Sequence, residues 1–418
     1  MELPAAQALG AQRQGSVAAF RGYLAVRRRG IQVPEERLLE RLAGRTVLVT
    51  GATGCVGMEL VSRLGGYEPG RIVGVSLDEA PRDPVVQHHR LDLRDEPALT
   101  ALLRRIRPDV VFHLAAQRDP GLAERAVRLT VSTNVLATRG LIRACIEAGV
   151  EQLVYASAGR ALLPYTSEVG AQSKRAGEWL VADAAGRGQL TGSAARFAHV
   201  VDNALVLERF RQWCARGEAL RVHRTDDSFY VQSARECAQL LLVAALAPVD
   251  ERFRVHAVRD TGWPMSVLDL AVGVIAEQGI PVPVHEVGPE PGYGRHTYPG
   301  LYDPVCSTDV SPLLNGMEAP AAEASGSADV DSVPLELRLT GPLRQGLDRL
   351  ARLCAETRDE EAVRAAFDTL SWELLRASLL CTPVEAVRAM AVRTEPHWQR
   401  MTAEQLRIDQ LVRERAGL

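Results

Sequence analysis

The chain has 418 residues, a formal net charge of −3 and 46% hydrophobic residues. That length suffices for two or three domains with a true core, and no apolar run approaches the ~18 residues of a membrane span, so the chain reads as a cytoplasmic protein. The near-neutral charge argues against nucleic acid or an anionic membrane as a partner, and seven scattered cysteines without a CxxC or Cys/His cluster argue against disulfides and a structural metal.

Residues 1–43 read as a helical lead-in, without the basic-then-apolar pattern of a signal peptide. Strand–helix alternation begins at "TVLVT" (46–50), a buried strand followed by a glycine-rich turn and the helix "CVGMELVSRLGG". Further strands are predicted at 71–76, 89–93, 109–116, 152–157 and 192–197, with a long helix over 122–148. This alternation predicts an α/β fold, a doubly wound parallel Rossmann sheet over 44–197. From 198 to 318 the pattern loosens into a small substrate lobe with strand candidates at 252–258 and 281–287. "APAAEASGSADVDSVP" marks a flexible linker over 319–336, and 337–418 reads as an all-helical tail for packing or dimerisation. Its apolar residues Leu343, Leu347, Leu350, Val363, Phe367, Leu370 and Leu374 recur at helical spacing.

Two features carry chemistry. "TGATGCVG" (50–57) follows a strand and opens a helix. Gly51, Gly54 and Gly57 there suit a tight turn, close approach of a pyrophosphate and close packing of helix on sheet. The second feature is Lys174, the only lysine in the chain. Every other basic residue is arginine, a bias that high-GC codon usage produces, so a retained ammonium points to a task that a wide guanidinium does not perform.

The TGxxGxxG spacing resembles that of the extended short-chain dehydrogenase/reductases. The blocks "RGIQVPEERLLERLAGRTVLVTGATGCVGMEL", "VFHLAAQRDPGLAERAVRLTVSTNVLATRGLIRACIEAGVEQLVYAS", "SKRAGE" and "ARFAHVVDNALVLERFRQWCARGEALRV" narrow the resemblance to the capsular-polysaccharide type, the inverting nucleotide-sugar 4,6-dehydratases and related epimerases. It covers residues 25–300. It implies that Gly51, Thr53, Gly54, Cys55, Val56 and Gly57 hold the pyrophosphate, with Asp92 and Leu93 at the adenine. It also implies that Ala115, Ala116 and Gln117 line the cofactor and that Asn134 braces the long helix. Ser157 is the implied active-site hydroxyl, and Lys174 holds the nicotinamide ribose. The chain is expected to be a soluble homodimer.

The departures bear on activity. The acidic residue expected at the end of the second strand is Ser76, with Asp78 two residues on, which leaves NAD or NADP open. Ser157 is followed by Ala158, Gly159 and Arg160 where the dehydratases carry an Asp-Lys pair, and Gly170 stands where relatives place tyrosine or methionine. Tyr165 is the nearest phenol, a candidate acid–base residue beside Lys174 or else a buried structural tyrosine. Arg118 and Asp119 after the fourth strand are candidates for substrate groups, Arg118 as an anion holder or a rim charge. His199, where the family has asparagine, and Asn203 join them. The segment "GPEPGYGRHTYPGLYD" (288–303) offers Arg295 and His296 as a closing loop or as plain surface, and Arg82 is a candidate for a 2′-phosphate. Ser228 replaces an arginine that commonly meets the sugar-nucleotide diphosphate.

The expected function is an NAD(P)-dependent dehydratase- or epimerase-like enzyme acting on a nucleotide sugar by transient oxidation, in polysaccharide or specialised-metabolite biosynthesis such as that of antibiotics. The alternatives are a catalytically idle NAD(P) binder serving as partner or sensor, and a related enzyme of a non-sugar metabolite.

Overall fold

In the computed structural model, which describes residues 5–79, 86–248, 253–293, 298–301 and 310–418, one nine-stranded sheet organises the chain. Its parallel part comprises β1 (Thr46–Thr50), β2 (Arg71–Ser76), β3 (Val86–Arg90), β4 (Val110–His113), β5 (Gln152–Ala158) and β6 (Thr191–Phe197), in the order 3-2-1-4-5-6. This is the doubly wound sheet expected from the alternation. β1 and β2 have the predicted bounds. β3 ends before Asp92, because that carboxylate bends the chain into a turn by accepting from the backbone and side chain of Arg94. β4 ends at His113: the Leu114 amide still donates to the Thr50 carbonyl at 3.1 Å, but the Ala115 amide turns to the Thr50 hydroxyl at 3.2 Å.

Strands that are buried on both faces carry apolar side chains at every position. Leu48, Val73, Val111 and Leu153 face one core, and Val47, Val49, Phe112 and Val154 face the other. The first core is covered by α4 (Glu96–Ile106), α7 (Ala137–Ala148) and α8 (Val169–Ala185). The second is covered by α2 (Glu35–Leu42), α3 (Cys55–Leu64) and α10 (Ala234–Ala244). The predicted long helix is interrupted. It runs as α5 (Pro120–Arg125), α6 (Val127–Val131), a π-helical turn over Ser132–Leu136, and then α7.

Two expectations are corrected by the sheet. Residues 253–258, expected in the lobe, form β11 (Phe253–Val258), which extends the main sheet parallel to β6. Residues 319–336, expected to be a flexible linker, contain β14 (Glu323–Ala324) and β15 (Val330–Leu335), antiparallel strands at the sheet edge beside β11. The Ala/Ser/Asp composition concealed this strand. Val330 and Val333 are fully buried, and Asp331 between them is satisfied by the Arg259 guanidinium and by the amide of Ser311.

The tail is helical as expected: α12 (Gly341–Glu356), α13 (Glu360–Cys381), α14 (Val384–Thr394) and α15 (Ala403–Ala416). It is not an appendage, however. Its apolar stripe, from Leu343 to Leu374, belongs to the same core as β1 and β5, and α12 and α13 lie over α6, the π turn and α8.

The lobe is built on α9 (Leu205–Ala215) and α11 (Val267–Gln278). Three two-stranded pairs complete it: β7 (His199–Val200) with β10 (Val231–Gln232), β8 (Leu220–Val222) with β13 (Val284–Glu286), and β9 (Ser228–Phe229) with β12 (Met265–Ser266). The lead-in helix α1 (Ala5–Ala25) rests on α11, where a Cβ at Gly273 would stand 2.2 Å from the Phe20 ring. No helix among the described residues is long and apolar enough to cross a membrane.

Candidate functional site

β1 has β2 on one side and β4 on the other, so the connections diverge at its C-terminal end and open a crevice there. The glycine loop fills that position. Gly51 has φ of 72°, and a Cβ on it would lie 2.8 Å from the Ala115 amide nitrogen. A Cβ on Gly57 would lie 2.2 Å from the Gly51 carbonyl, so this glycine lets α3 close onto the loop. Gly54, the N-cap of α3, has only the Gly51 carbonyl near it, at 3.4 Å. Two glycines are therefore demanded by packing, and the third leaves space where the first amides of α3 lack helical partners. This cradle fits the pyrophosphate of a dinucleotide, with Thr53, Cys55 and Val56 completing the loop.

The cradle is braced by a buried polar chain. Thr138 Oγ1 donates to the Asn134 carbonyl (2.8 Å), so the 2.8 Å contact between it and His113 Nε2 requires the ring nitrogen to donate. His113 Nδ1 is then the acceptor for the Thr50 hydroxyl at 2.7 Å. Burial, reinforced by Lys174, lowers the His113 pKa to about 3, which keeps the ring neutral. Asn134, placed by the π turn, accepts from the Gln117 amide (2.8 Å) and donates to the Gln117 carbonyl and to Ser173 Oγ. Ser173 in turn donates to the Gly170 carbonyl at 2.7 Å. The loop after β4 and the first turn of α8 are thus held in fixed register.

On the adenosine side, Ser76 ends β2 and accepts from the Thr53 amide at 3.2 Å, while Asp78 is exposed. Asp92 is held by Arg94, whose hydrogen bonds keep its carboxyl below the usual range. Leu93 is buried, and Ala115 and Ala116 are half-buried. Of the residues expected to meet substrate, the structure brings Arg118 and Asn203 together, beside Cys55. The Arg118 guanidinium donates to the Asn203 carbonyl (3.2 Å) and side-chain oxygen (3.0 Å), and burial raises the pKa of the Cys55 thiol against the opposing effect of Asn203. Asp119 caps α5 by accepting from the Leu122 amide at 2.9 Å. His199 leans on the Phe229 ring with centroids 4.6 Å apart, and burial lowers its pKa to about 4. Gly292 closes onto α5, where a Cβ would meet the Pro120 carbonyl at 2.6 Å, and Arg160 reaches its carbonyl from the β5 loop. Arg82, Arg295 and His296 lie outside the described residues.

The residues expected to be catalytic separate. Lys174 donates to the Ala156 carbonyl at 2.8 Å and stands 5.1 Å from the Tyr155 ring centroid. Burial lowers its pKa to about 8, against the opposing pull of Glu178. Ser157 is 2% exposed and donates to Glu178 at 2.7 Å. It belongs to a buried ion cluster that sequence reasoning missed. Arg196 grips Glu178 (2.8 and 2.9 Å) and Glu318 (2.6 and 2.8 Å), and Arg175 joins both carboxylates at 3.2 Å. Burial disfavours the Glu318 carboxylate, but Arg196 and Arg175 outweigh it and hold the group below its usual range. Tyr165 is not brought to Lys174. It donates to Asp368 at 2.5 Å and stacks on Trp372 at 3.8 Å, and burial followed by the Asp368 charge pushes its phenol up.

The model of the polysaccharide biosynthesis protein family matches residues 47–292, more than half of the chain, from the first sheet strand to the closing segment. The chain belongs to that family. By sequence and architecture it is an extended short-chain dehydrogenase/reductase. It is 25% identical over 302 residues to the probable polysaccharide biosynthesis protein EpsC of Bacillus subtilis, covering 68% of this chain and 50% of EpsC. It is 28% identical over 186 residues to an inverting UDP-N-acetylglucosamine 4,6-dehydratase of Campylobacter jejuni, covering 42% of this chain and 55% of the dehydratase. Among solved structures, MoeE5 in complex with UDP-glucose and NAD superposes with a TM-score of 0.52 and 26% identity, over 59% of this chain and 86% of that one. The chain spans about half the length of the curated relatives it matches, and the helical tail from α12 onward lies beyond the family match.

Proposed function

We propose that this chain is an NAD(P)-dependent enzyme of nucleotide-activated sugars, dehydratase- or epimerase-like, acting in polysaccharide or specialised-metabolite biosynthesis. The observation that carries the reading is the built cradle at Gly51, Gly54 and Gly57, with the sole lysine of the chain held near His113 at the end of β5. When bound, the nicotinamide dinucleotide supplies reversible hydride transfer at a sugar carbinol. The loop amides and the α3 N-terminus hold its pyrophosphate, and Ser76 and Asp78 border the adenosine ribose without deciding between NAD and NADP. Asn134 orients the Gln117 backbone. Lys174, with its pKa brought down to about 8, is poised to hold the nicotinamide ribose and to exchange a proton near neutral pH. Arg118, Asn203 and His199 face the substrate side, where the Arg118 cation suits a diphosphate.

The test is spectroscopic. Purified protein is loaded with NAD or NADP and offered UDP-glucose and UDP-N-acetylglucosamine. A change near the reduced-nicotinamide absorbance, or a 4-keto product, supports the reading. Loaded protein inert to every sugar nucleotide argues against it.

A second reading, an idle dinucleotide binder, is favoured by one observation. Tyr165 and Ser157 are both consumed by structural bonds, to Asp368 and Glu178. In that case the cofactor binds and no sugar nucleotide changes its spectrum.

A further inference from the structure

A cavity of about 400 Å³ lies between the loop after β5, the first turn of α8 and α13, and no residue of the glycine cradle lines it. Its buried wall includes Tyr165, Gln172 and Phe367, and its rim is formed by the exposed residues Ser167, Glu361 and Ala365. Gln172 is 2% exposed, and neither its amide oxygen nor its amide nitrogen has a hydrogen-bond partner. An unsatisfied buried amide costs about 1–3 kcal/mol per polar group, and leucine would fill the same helical position without that cost. The side chain lines the cavity, and a turn about its three torsions is the movement that a bound ligand would require of the amide.

The wall also sets the charge of what enters. The one cation, Arg364, is neutralised by Glu124, with its guanidinium 2.7 Å from the carboxylate and 2.6 Å from the Glu124 carbonyl. Two carboxylates, Glu361 and Asp368, remain on the wall. Phosphates and carboxylates are disfavoured there. Hydroxyl groups suit it, because they donate to Asp368, Glu361 and the Gln172 oxygen and accept from the Gln172 nitrogen and Ser167. The Tyr165 and Phe367 rings offer an apolar face for the carbon side of a ring. A volume of this size lies within the range of small-molecule sites.

We propose that this cavity binds a neutral polyhydroxylated molecule of monosaccharide size, at a site separate from the dinucleotide cradle and two residues from Lys174 along α8. The inference does not depend on the nature of the reaction. The full chain is titrated calorimetrically with D-glucose and myo-inositol, with gluconate and glucose 6-phosphate as anionic counterparts. Saturable binding of at least one neutral compound is expected, with at least about tenfold weaker binding of the anions. Gln172→Leu should weaken the neutral ligand by at least about tenfold, the loss of one good hydrogen-bonding group, and should raise the thermal midpoint of the ligand-free protein. Ala365→Trp, an exposed rim position that tests the cavity without touching the core, should also block binding. NAD affinity should be unchanged in both variants. The proposal is overturned if neither neutral compound binds, if both variants bind as wild type does, or if glucose 6-phosphate binds more tightly than glucose.

Discussion

Around β1 and β4 the buried polar groups are neutral, and the chain they form ends on loop backbone. Thr50, His113, Thr138 and Asn134 hold one another, and the first amides of α3 beside them lack helical partners. Around β5 and β6 the buried polar groups are charged, and their partners come from distant sequence. Arg196 meets Glu318 across 122 residues, and both are 3% exposed or less. The first arrangement shapes a place for a ligand. The second spends its side chains on joining β6 and α8 to Glu318, and Ser157 is spent with them, while Tyr165 is spent on Asp368 of α13.

The largest effect is expected at the charged side. Arg196→Met leaves two buried carboxylates facing a single guanidinium, which should cost about 3–5 kcal/mol of unfolding free energy in urea titrations. A loss below about 1 kcal/mol would mean that the cluster does not hold the Glu318 segment against the sheet. At the neutral side, Gly54→Asp places a carboxylate at the α3 N-terminus, where the pyrophosphate is proposed to sit. Calorimetry should find NAD(P) binding weakened by about 100-fold or more, with the fold retained. Equal affinity in mutant and wild type would move the cofactor elsewhere.

Tyr165→Phe sharpens the boundary between the halves. An acid–base residue contributes ~10²–10⁴ in rate. The Asp368 contact predicts instead that turnover is kept and that stability falls by about 1 kcal/mol, because the carboxylate loses its hydrogen-bond donor. A rate loss of the larger size would return Tyr165 to the active site. The smallest effect concerns pH. The folded pKa of Lys174, about 8, lies below its ordinary 10.5. Between these values the unfolded chain holds more protons than the native one, so this residue adds stability as pH rises from about 8 to 10.5. Lys174→Met should lack that rise. Parallel stability–pH profiles for mutant and wild type would show that the ammonium is not desolvated.

The cradle was legible because it is local. Three glycines between an apolar strand and a helix state their geometry within eight residues, and Lys174 stood out by composition alone. Asn134, expected from the resemblance to brace the long helix, holds the Gln117 backbone and Ser173 instead. The charged half was not legible, because nothing near Arg196 in sequence announces that a guanidinium sits in the core. Its partner Glu318 borders a segment whose Ala/Ser/Asp content looks solvated. The same composition hid β15, where Arg259 and the Ser311 amide satisfy Asp331. Tyr165 looked catalytic by its distance from Lys174 along the chain, but a contact with Asp368 more than two hundred residues away decides where it points.

The ion cluster also has a temporal consequence. During synthesis, Glu178 and Arg196 emerge together, but Arg175 and Arg196 lack their second carboxylate until Glu318 leaves the ribosome, and β11 lacks its outer neighbour until β15 follows. The sheet therefore closes late, through contacts of high sequence separation, which slow folding and prolong the exposure of an incomplete core. A nascent chain that stops before Glu318 is an open sheet with excess buried positive charge, and in a crowded cell it is a natural client for chaperones.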